Sequence, residues 1–132
     1  MKTELIDGNN SIRIDNFAFS PYDIFRVTFD VYVTSGSFSG YGECEYDTRD
    51  FDKFVSEMQA MYDFERKSVT FKDICYGSEI IFTIDRAGRV VIKGTVYADA
   101  MEHSMTFCFN TDQSALLPFI NGLKKMTDNA DA

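Results

Sequence analysis

Residues 24–46 read IFRVTFDVYVTSGSFSGYGECEY. From Ile24 to Thr34 apolar and polar side chains alternate. Phe25, Val27, Phe29, Val31 and Val33 share one side, while Arg26, Thr28, Asp30, Tyr32 and Thr34 share the other. A period of two is that of a strand with one buried face. Ser35-Gly36 offers a two-residue turn. With that turn Val33 opposes Phe38, Val31 opposes Gly40, Phe29 opposes Gly42, Val27 opposes Cys44 and Phe25 opposes Tyr46. All these pairs lie on the apolar side, and the glycines lie opposite side chains large enough to cover them. On the other side Arg26 opposes Glu45, an opposite-charge pair. A slip of one residue would turn the apolar set to solvent, so the pattern specifies a β-hairpin with one face inward.

Working outward, Asp47-Thr48 supplies an N-cap, and Phe51, Phe54, Val55, Met58, Met61 and Tyr62 follow at helical spacing. The spacing predicts a helix from about Arg49 to Asp63, with Asp50 and Asp52 in a first turn that favours acids. Its methionine-bearing stripe fits core packing, with a binding groove as the alternative. Val69-Thr70-Phe71 forms a strand ended near Tyr76-Gly77-Ser78. Ile80, Phe82 and Ile84 alternate into the turn Arg86-Ala87-Gly88, whose glycine suits the left-handed position of a three-residue loop. Val90, Ile92, Gly94 and Val96 return opposite them. A further hairpin through Asp99 to Glu102 sets Met105 opposite Val96, Phe107 opposite Gly94 and Phe109 opposite Ile92.

A second helix is expected from about Gln113 to Met126, with Leu116, Ile120 and Leu123 as its stripe and Leu117 and Phe119 beside it. Pro118 implies that this helix starts at Leu117 or kinks there. Thr127 to Ala132 is expected to be a frayed polar tail. Upstream, Leu5-Ile6 and Ile12-Arg13-Ile14 form short strands about the turn Gly8-Asn9-Asn10. Asp15 to Pro21 leads to Tyr22, with Pro21 marking loop or strand edge. No internal repeat or linker is visible. The expected fold is α+β, one domain over residues 1–132. It is an antiparallel β-meander sheet of about seven or eight strands with two helices packed on its apolar face.

Composition agrees with a sheet-rich domain. The 132 residues are 45% hydrophobic and include 13 Phe and 7 Tyr, residue types that favour a pleated surface. No signal-peptide pattern or membrane-spanning run is present. Cys44, Cys75 and Cys108 are widely spaced and odd in number, as for reduced, mostly buried thiols of a cytoplasmic protein. A net charge of −8 repels phosphate backbones, which argues against a nucleic-acid partner and allows a basic protein partner.

Catalytic and ligand-binding patterns are missing from the sequence. His103 is the only histidine, and its neighbours Glu102 and Ser104 cannot converge with it on one strand. Cysteine or histidine pairs at zinc spacing do not occur, and Asp47, Asp50 and Asp52 lack calcium-loop spacing. Neither a catalytic centre, a metal site nor a cofactor site is expected. Glu43 and Glu45 share one strand face, where solvation is a simpler reading than acid–base work. Asp30, Tyr32, Tyr41, Glu43 and Glu45 lie together on the outward side of the first hairpin. Tyrosines amid acids suit the recognition of a basic protein, and a solvated sheet face is the plain alternative.

Three blocks carry a family likeness: the turn Gly36-Ser37-Phe38-Ser39-Gly40 between its strands, the helix start Thr48-Arg49-Asp50-Phe51-Asp52-Lys53-Phe54, and Met105-Thr106-Phe107-Cys108-Phe109 followed by Asp112-Gln113 and Leu116. In these, and in the order of elements, the chain resembles the WapI-type immunity proteins, small bacterial proteins that neutralise a cognate contact-dependent toxin. The resemblance implies a non-enzymatic, stoichiometric inhibitor of a toxin domain, often a nuclease, inside the producing cell. A small ligand-binding domain or enzyme using a pocket between sheet and helices is the alternative.

Overall fold

The alternating segments all become strands, and those joined by short connections pair with each other. In the computed structural model, which describes residues 1–130, the order is β1 (Thr3–Asp7), β2 (Asn10–Phe19), β3 (Arg26–Ser35), β4 (Phe38–Asp47), α1 (Thr48–Tyr62), β5 (Ser68–Lys72), β6 (Glu79–Ile84), β7 (Arg89–Ala98), β8 (His103–Asp112) and α2 (Gln113–Ala130). The α+β meander is as expected, with one correction. The strands form two four-stranded antiparallel sheets, β1-β2-β3-β4 and β5-β6-β7-β8, rather than one. Helix α1 intervenes between β4 and β5, so the chain runs twice through four strands and a helix. This repeat of topology has no counterpart in the sequence.

The first hairpin keeps its predicted faces and changes its register. Val33 pairs Gly40, Val31 pairs Gly42, Phe29 pairs Cys44 and Val27 pairs Tyr46. The turn is Gly36-Ser37, with a positive φ of 63° at Gly36. The slip is two residues, which leaves every side chain on its predicted side. Arg26 accordingly pairs Asp47 and reaches Glu45 along the diagonal, 3.9 Å away. Phe38 and Phe25 are thereby excluded from the buried face and are exposed. In the second sheet the predicted pairs Phe82–Ile92, Ile80–Gly94, Gly94–Phe107 and Val96–Met105 are all present.

The inner faces of both sheets and the two helices enclose one core. Its centre is aromatic: Phe29, Tyr46, Phe51, Phe54 and Phe71 meet with ring centroids 5.1–6.5 Å apart. The buried Tyr46 hydroxyl accepts a bond from the Lys72 N–H at 2.5 Å, tying β4 to β5. The sheets approach where glycines open space. A Cβ on Gly42 would lie 3.0 Å from the Tyr97 carbonyl oxygen, and one on Gly40 3.0 Å from Met105. These glycines therefore admit the other sheet, where the sequence reading had them covered by side chains of their own. Gly122 likewise admits Thr3, whose hydroxyl donates to the Phe119 carbonyl at 2.8 Å.

The helices need smaller corrections. Helix α1 starts one residue early, capped by the Asp47 carboxylate, which accepts the Arg49 N–H at 2.8 Å. Helix α2 begins at Gln113 and runs through Pro118. Phe119 and Met126 join its buried stripe, whereas Leu117 is exposed. The expected frayed tail is helical as far as Ala130, and residues 131–132 lie outside the described residues. Among the thiols only Cys44 is buried; Cys75 and Cys108 are exposed, contrary to expectation, and all three are free. No helix is long and apolar enough to cross a membrane among the described residues.

Candidate partner-binding face

Strand alternation places Asp30, Tyr32, Tyr41, Glu43 and Glu45 together on the outer side of β3 and β4. Tyr32 pairs directly with Tyr41, Asp30 with Glu43, and Thr28 with Glu45. The two tyrosine rings stack, with centroids 5.7 Å apart and planes inclined by 24°. Arg13 on β2 lays its guanidinium 4.3 Å from the Tyr32 ring centre and approaches Asp15 at 3.6 Å. The stack and the cation over it stabilise the pair by roughly 1–2 kcal/mol together and fix two aromatic surfaces side by side. Tyr32 is half-buried under these neighbours and Tyr41 is exposed.

Acids surround the tyrosine pair. The Asp30 carboxylate accepts a bond from Asn16 Nδ2 at 2.8 Å, and Asn16 is held at a positive φ of 57° where β2 bulges. Glu43 lies 3.4 Å from the Asp99 N–H in the turn between β7 and β8. The negative charges of Asp99, Glu43 and Asp30, together with partial desolvation, push the Tyr41 phenol above its usual range; Asp99 has the largest effect. Tyr41 therefore stays neutral and a hydrogen-bond donor at physiological pH.

Sequence reading missed the support beneath Glu45. Asp73, almost wholly buried, accepts backbone N–H bonds from Glu45 at 2.7 Å, Cys75 at 3.0 Å, Tyr76 at 2.7 Å and Gly77 at 3.2 Å. The Ile74 N–H returns a bond to the Glu45 carbonyl at 3.1 Å. One carboxylate thus folds the β5–β6 loop and seals the free edge of β4 with it. The available signal was an aspartate opening Asp73-Ile-Cys-Tyr-Gly77, the arrangement of an Asx turn.

The residues set aside by the sequence have local duties. His103 opens β8 and sits 3.9 Å from Asp99. Asp47 is a helix cap, held below the ordinary carboxylate range chiefly by its bond from the Arg49 side chain. No group of three or more acids, cysteines or histidines is arranged to hold a metal among the described residues. On α1, Glu57 is engaged by Lys53 and Arg66 at 3.9 and 3.2 Å.

Residues 5–130 match the Immunity protein WapI-like family, nearly the whole chain. The chain belongs to that family. No curated protein matches it. Among solved structures, a chain from the crystal structures of Trypanosoma bruciei MRP1/MRP2 is similar, with a TM-score of 0.55 at 10% identity over 100% of this chain and 85% of that one. At that identity the likeness concerns the fold alone. It shows that two four-stranded sheets with two helices form an architecture used beyond the WapI-like immunity family.

Proposed function

We propose that this member of the WapI-like family is a non-enzymatic immunity protein that neutralises a bacterial toxin domain in the cytoplasm by stoichiometric binding. The toxin is a basic domain, of which nucleases are one class. The binding face is the outer side of β3–β4, with Tyr32 and Tyr41 at its centre and Asp30, Glu43 and Glu45 around them. One observation carries this reading: Asp30 is paired directly across the ladder with Glu43. Like charges set opposite one another destabilise a sheet, and the bonds these two acids accept, from Asn16 and from the Asp99 N–H, bring no opposite charge to offset it. A cationic partner would turn that repulsion into attraction, with the tyrosines supplying low-entropy contact area.

The test is co-expression with a candidate basic toxin domain from its own host. Wild type should restore growth and co-elute with that domain at one-to-one stoichiometry, and Glu43→Lys combined with Tyr41→Ala should do neither. Full protection by the folded double variant would remove this face from the account. Degradation of the toxin or of its product in place of complex formation would replace binding by catalysis.

A further inference from the structure

The loop between β2 and β3 presents large apolar side chains to solvent with no interior to cover them. Tyr22 is 97% exposed, Ile24 76% and Phe25 55%. The loop is held in this form by its own bonds. Asp23 accepts the Phe25 N–H at 2.9 Å, Ser20 donates its N–H to the Arg26 carbonyl at 3.0 Å, and Thr48 donates to the Phe25 carbonyl at 2.8 Å. Ile24 and Phe25 form one wall of a half-open cavity of about 380 Å³, with Phe17, Phe19 and Phe51 as its apolar floor. That volume accepts one large side chain.

The surround is acidic. Asp52 is the ionisable side chain that lines the cavity, and Asp50 is exposed two residues earlier in the same helical turn. Both nearby arginines are held by acids: Arg26 by Asp23 at 3.8 Å and Glu45 at 3.9 Å, Arg49 by Asp47 at 3.3 Å. Five acids (Asp23, Glu45, Asp47, Asp50 and Asp52) therefore stand around two arginines, and Glu45 is shared with the β3–β4 face.

We infer that this cavity is a second binding subsite that takes a single aromatic or long aliphatic side chain from a basic segment of the protein partner. An apolar anchor in a desolvated hole, ringed by charge of opposite sign, is the arrangement of an interface hot spot. The inference builds on the proposed toxin binding, but its chemistry is testable without the toxin.

The probes are three capped pentapeptides, KKFKK, KKAKK and EEFEE, titrated into the isotope-labelled full chain while amide shifts are followed. KKFKK should shift the amides of Ile24, Phe25, Phe51 and Asp52 saturably. KKAKK should bind at least about tenfold more weakly, and EEFEE should leave these amides unmoved. Ile24→Asp should abolish the KKFKK response while shifts outside the loop stay native. Equal response to EEFEE, or a KKFKK response indifferent to Ile24→Asp, overturns the inference. So does a concentration-dependent dimer of wild type that Ile24→Asp disperses without any KKFKK response, which would make a second copy the occupant. The basic toxin domain separates the two proposals. If it binds Ile24→Asp and wild type alike, the subsite falls and the immunity function stands. If it fails to bind wild type while KKFKK fills the cavity, the subsite stands and the toxin reading falls.

Discussion

The two halves of the molecule share one plan, four antiparallel strands and a helix, and differ in what they show to solvent. The outer side of β5–β8 carries Thr70, Thr83, Thr95 and Thr106 with Lys72, Glu79 and Lys93, and Thr95 and Thr106 bond to each other across the ladder at 2.9 Å. That is an ordinary solvated sheet, with mixed charges and β-branched polar residues. The outer side of β1–β4 carries Glu4, Asp15, Asp30, Glu43 and Glu45 against Arg13 and Arg26, with two stacked tyrosines among them. The second sheet serves as an internal reference for the first. It carries Tyr97 on its outer side as well, so what sets the first sheet apart is the surplus of acids around a stacked tyrosine pair, the feature that the proposed recognition of a basic partner would use.

The halves also differ in how close their packing runs, and the largest expected effects lie there. In the second half, a Cβ on Gly94 would sit 2.1 Å from the Glu79 carbonyl oxygen, a backbone atom that cannot yield. Gly94→Ala should cost about 4 kcal/mol or more and leave little folded protein. In the first half, Gly42→Ala meets its neighbours at 3.0–3.2 Å and should cost roughly 1–3 kcal/mol. Urea denaturation of the two variants checks the order; equal costs would contradict the sheet crossing described for Gly42.

Asp73 joins the halves, and Asp73→Ala should cost about 3 kcal/mol, since four N–H groups lose a charged acceptor in a buried place. Hydrogen exchange would then quicken at Glu45 and through residues 74–77. Protection unchanged at Glu45 would show that the loop does not seal β4.

Each half also caps its helix with an aspartate. Asp47 accepts the Arg49 N–H and Asp112 accepts the Ser114 N–H, at 2.8 and 3.0 Å. Both carboxyls are held below their usual range, Asp47 chiefly by the Arg49 side chain and Asp112 chiefly by the Ser114 hydroxyl. A depressed folded-state value means stability that is present above the unfolded carboxylate range, about pH 4, and lost as pH falls further. Melting temperatures of Asp47→Ala and Asp112→Ala should therefore fall below wild type at pH 7 and converge with it near pH 2. A gap that persists at pH 2 would assign the caps some other role.

The smallest effect has the opposite sign. Asp30→Asn keeps an acceptor for Asn16 and removes the repulsion from Glu43, so it should stabilise the fold by about 0.2–1 kcal/mol while weakening toxin binding. Destabilisation together with unchanged binding would show that the acid serves the fold.

The same comparison explains what the sequence made legible. In the second sheet Gly88, at a φ of 82°, marks the turn between β6 and β7 and with it their register, whereas Ala100 and Met101 take positive φ of 55° and 74° with no signal in their residue type. In the first hairpin, Gly36 fits the two-residue turn as either its first or its second residue. A slip of two residues leaves an alternating pattern unchanged, so the faces were legible and the register was not. The five outer residues kept their side for that reason. Gly40 and Gly42 were misjudged because a pattern along one hairpin carries no sign of a second backbone approaching from elsewhere. The division into two sheets was hidden in the same way, since strand periodicity does not say whether β5 resumes beside β4. The segment up to Tyr22 reads as a connection, and the alternation, run on to Ile24 and Phe25, assigns both to the strand and Phe25 to its apolar face, although β3 starts at Arg26 and both are exposed.

The central claim is that the β3–β4 face is the interface, and matched charge reversals on the two sheets test it most directly. Glu43→Lys and Glu79→Lys change the net charge by the same two units, one on each outer face. Association of the basic toxin domain, followed by stopped flow at low and high salt, should be slowed much more by Glu43→Lys than by Glu79→Lys, with the difference shrinking as salt rises. Tyr41→Ala should instead raise the dissociation rate, by an amount equivalent to about 1–3 kcal/mol. Equal slowing by the two reversals, with dissociation of Tyr41→Ala at the wild-type rate, would mean that net charge alone steers the partner and that it lands on another surface.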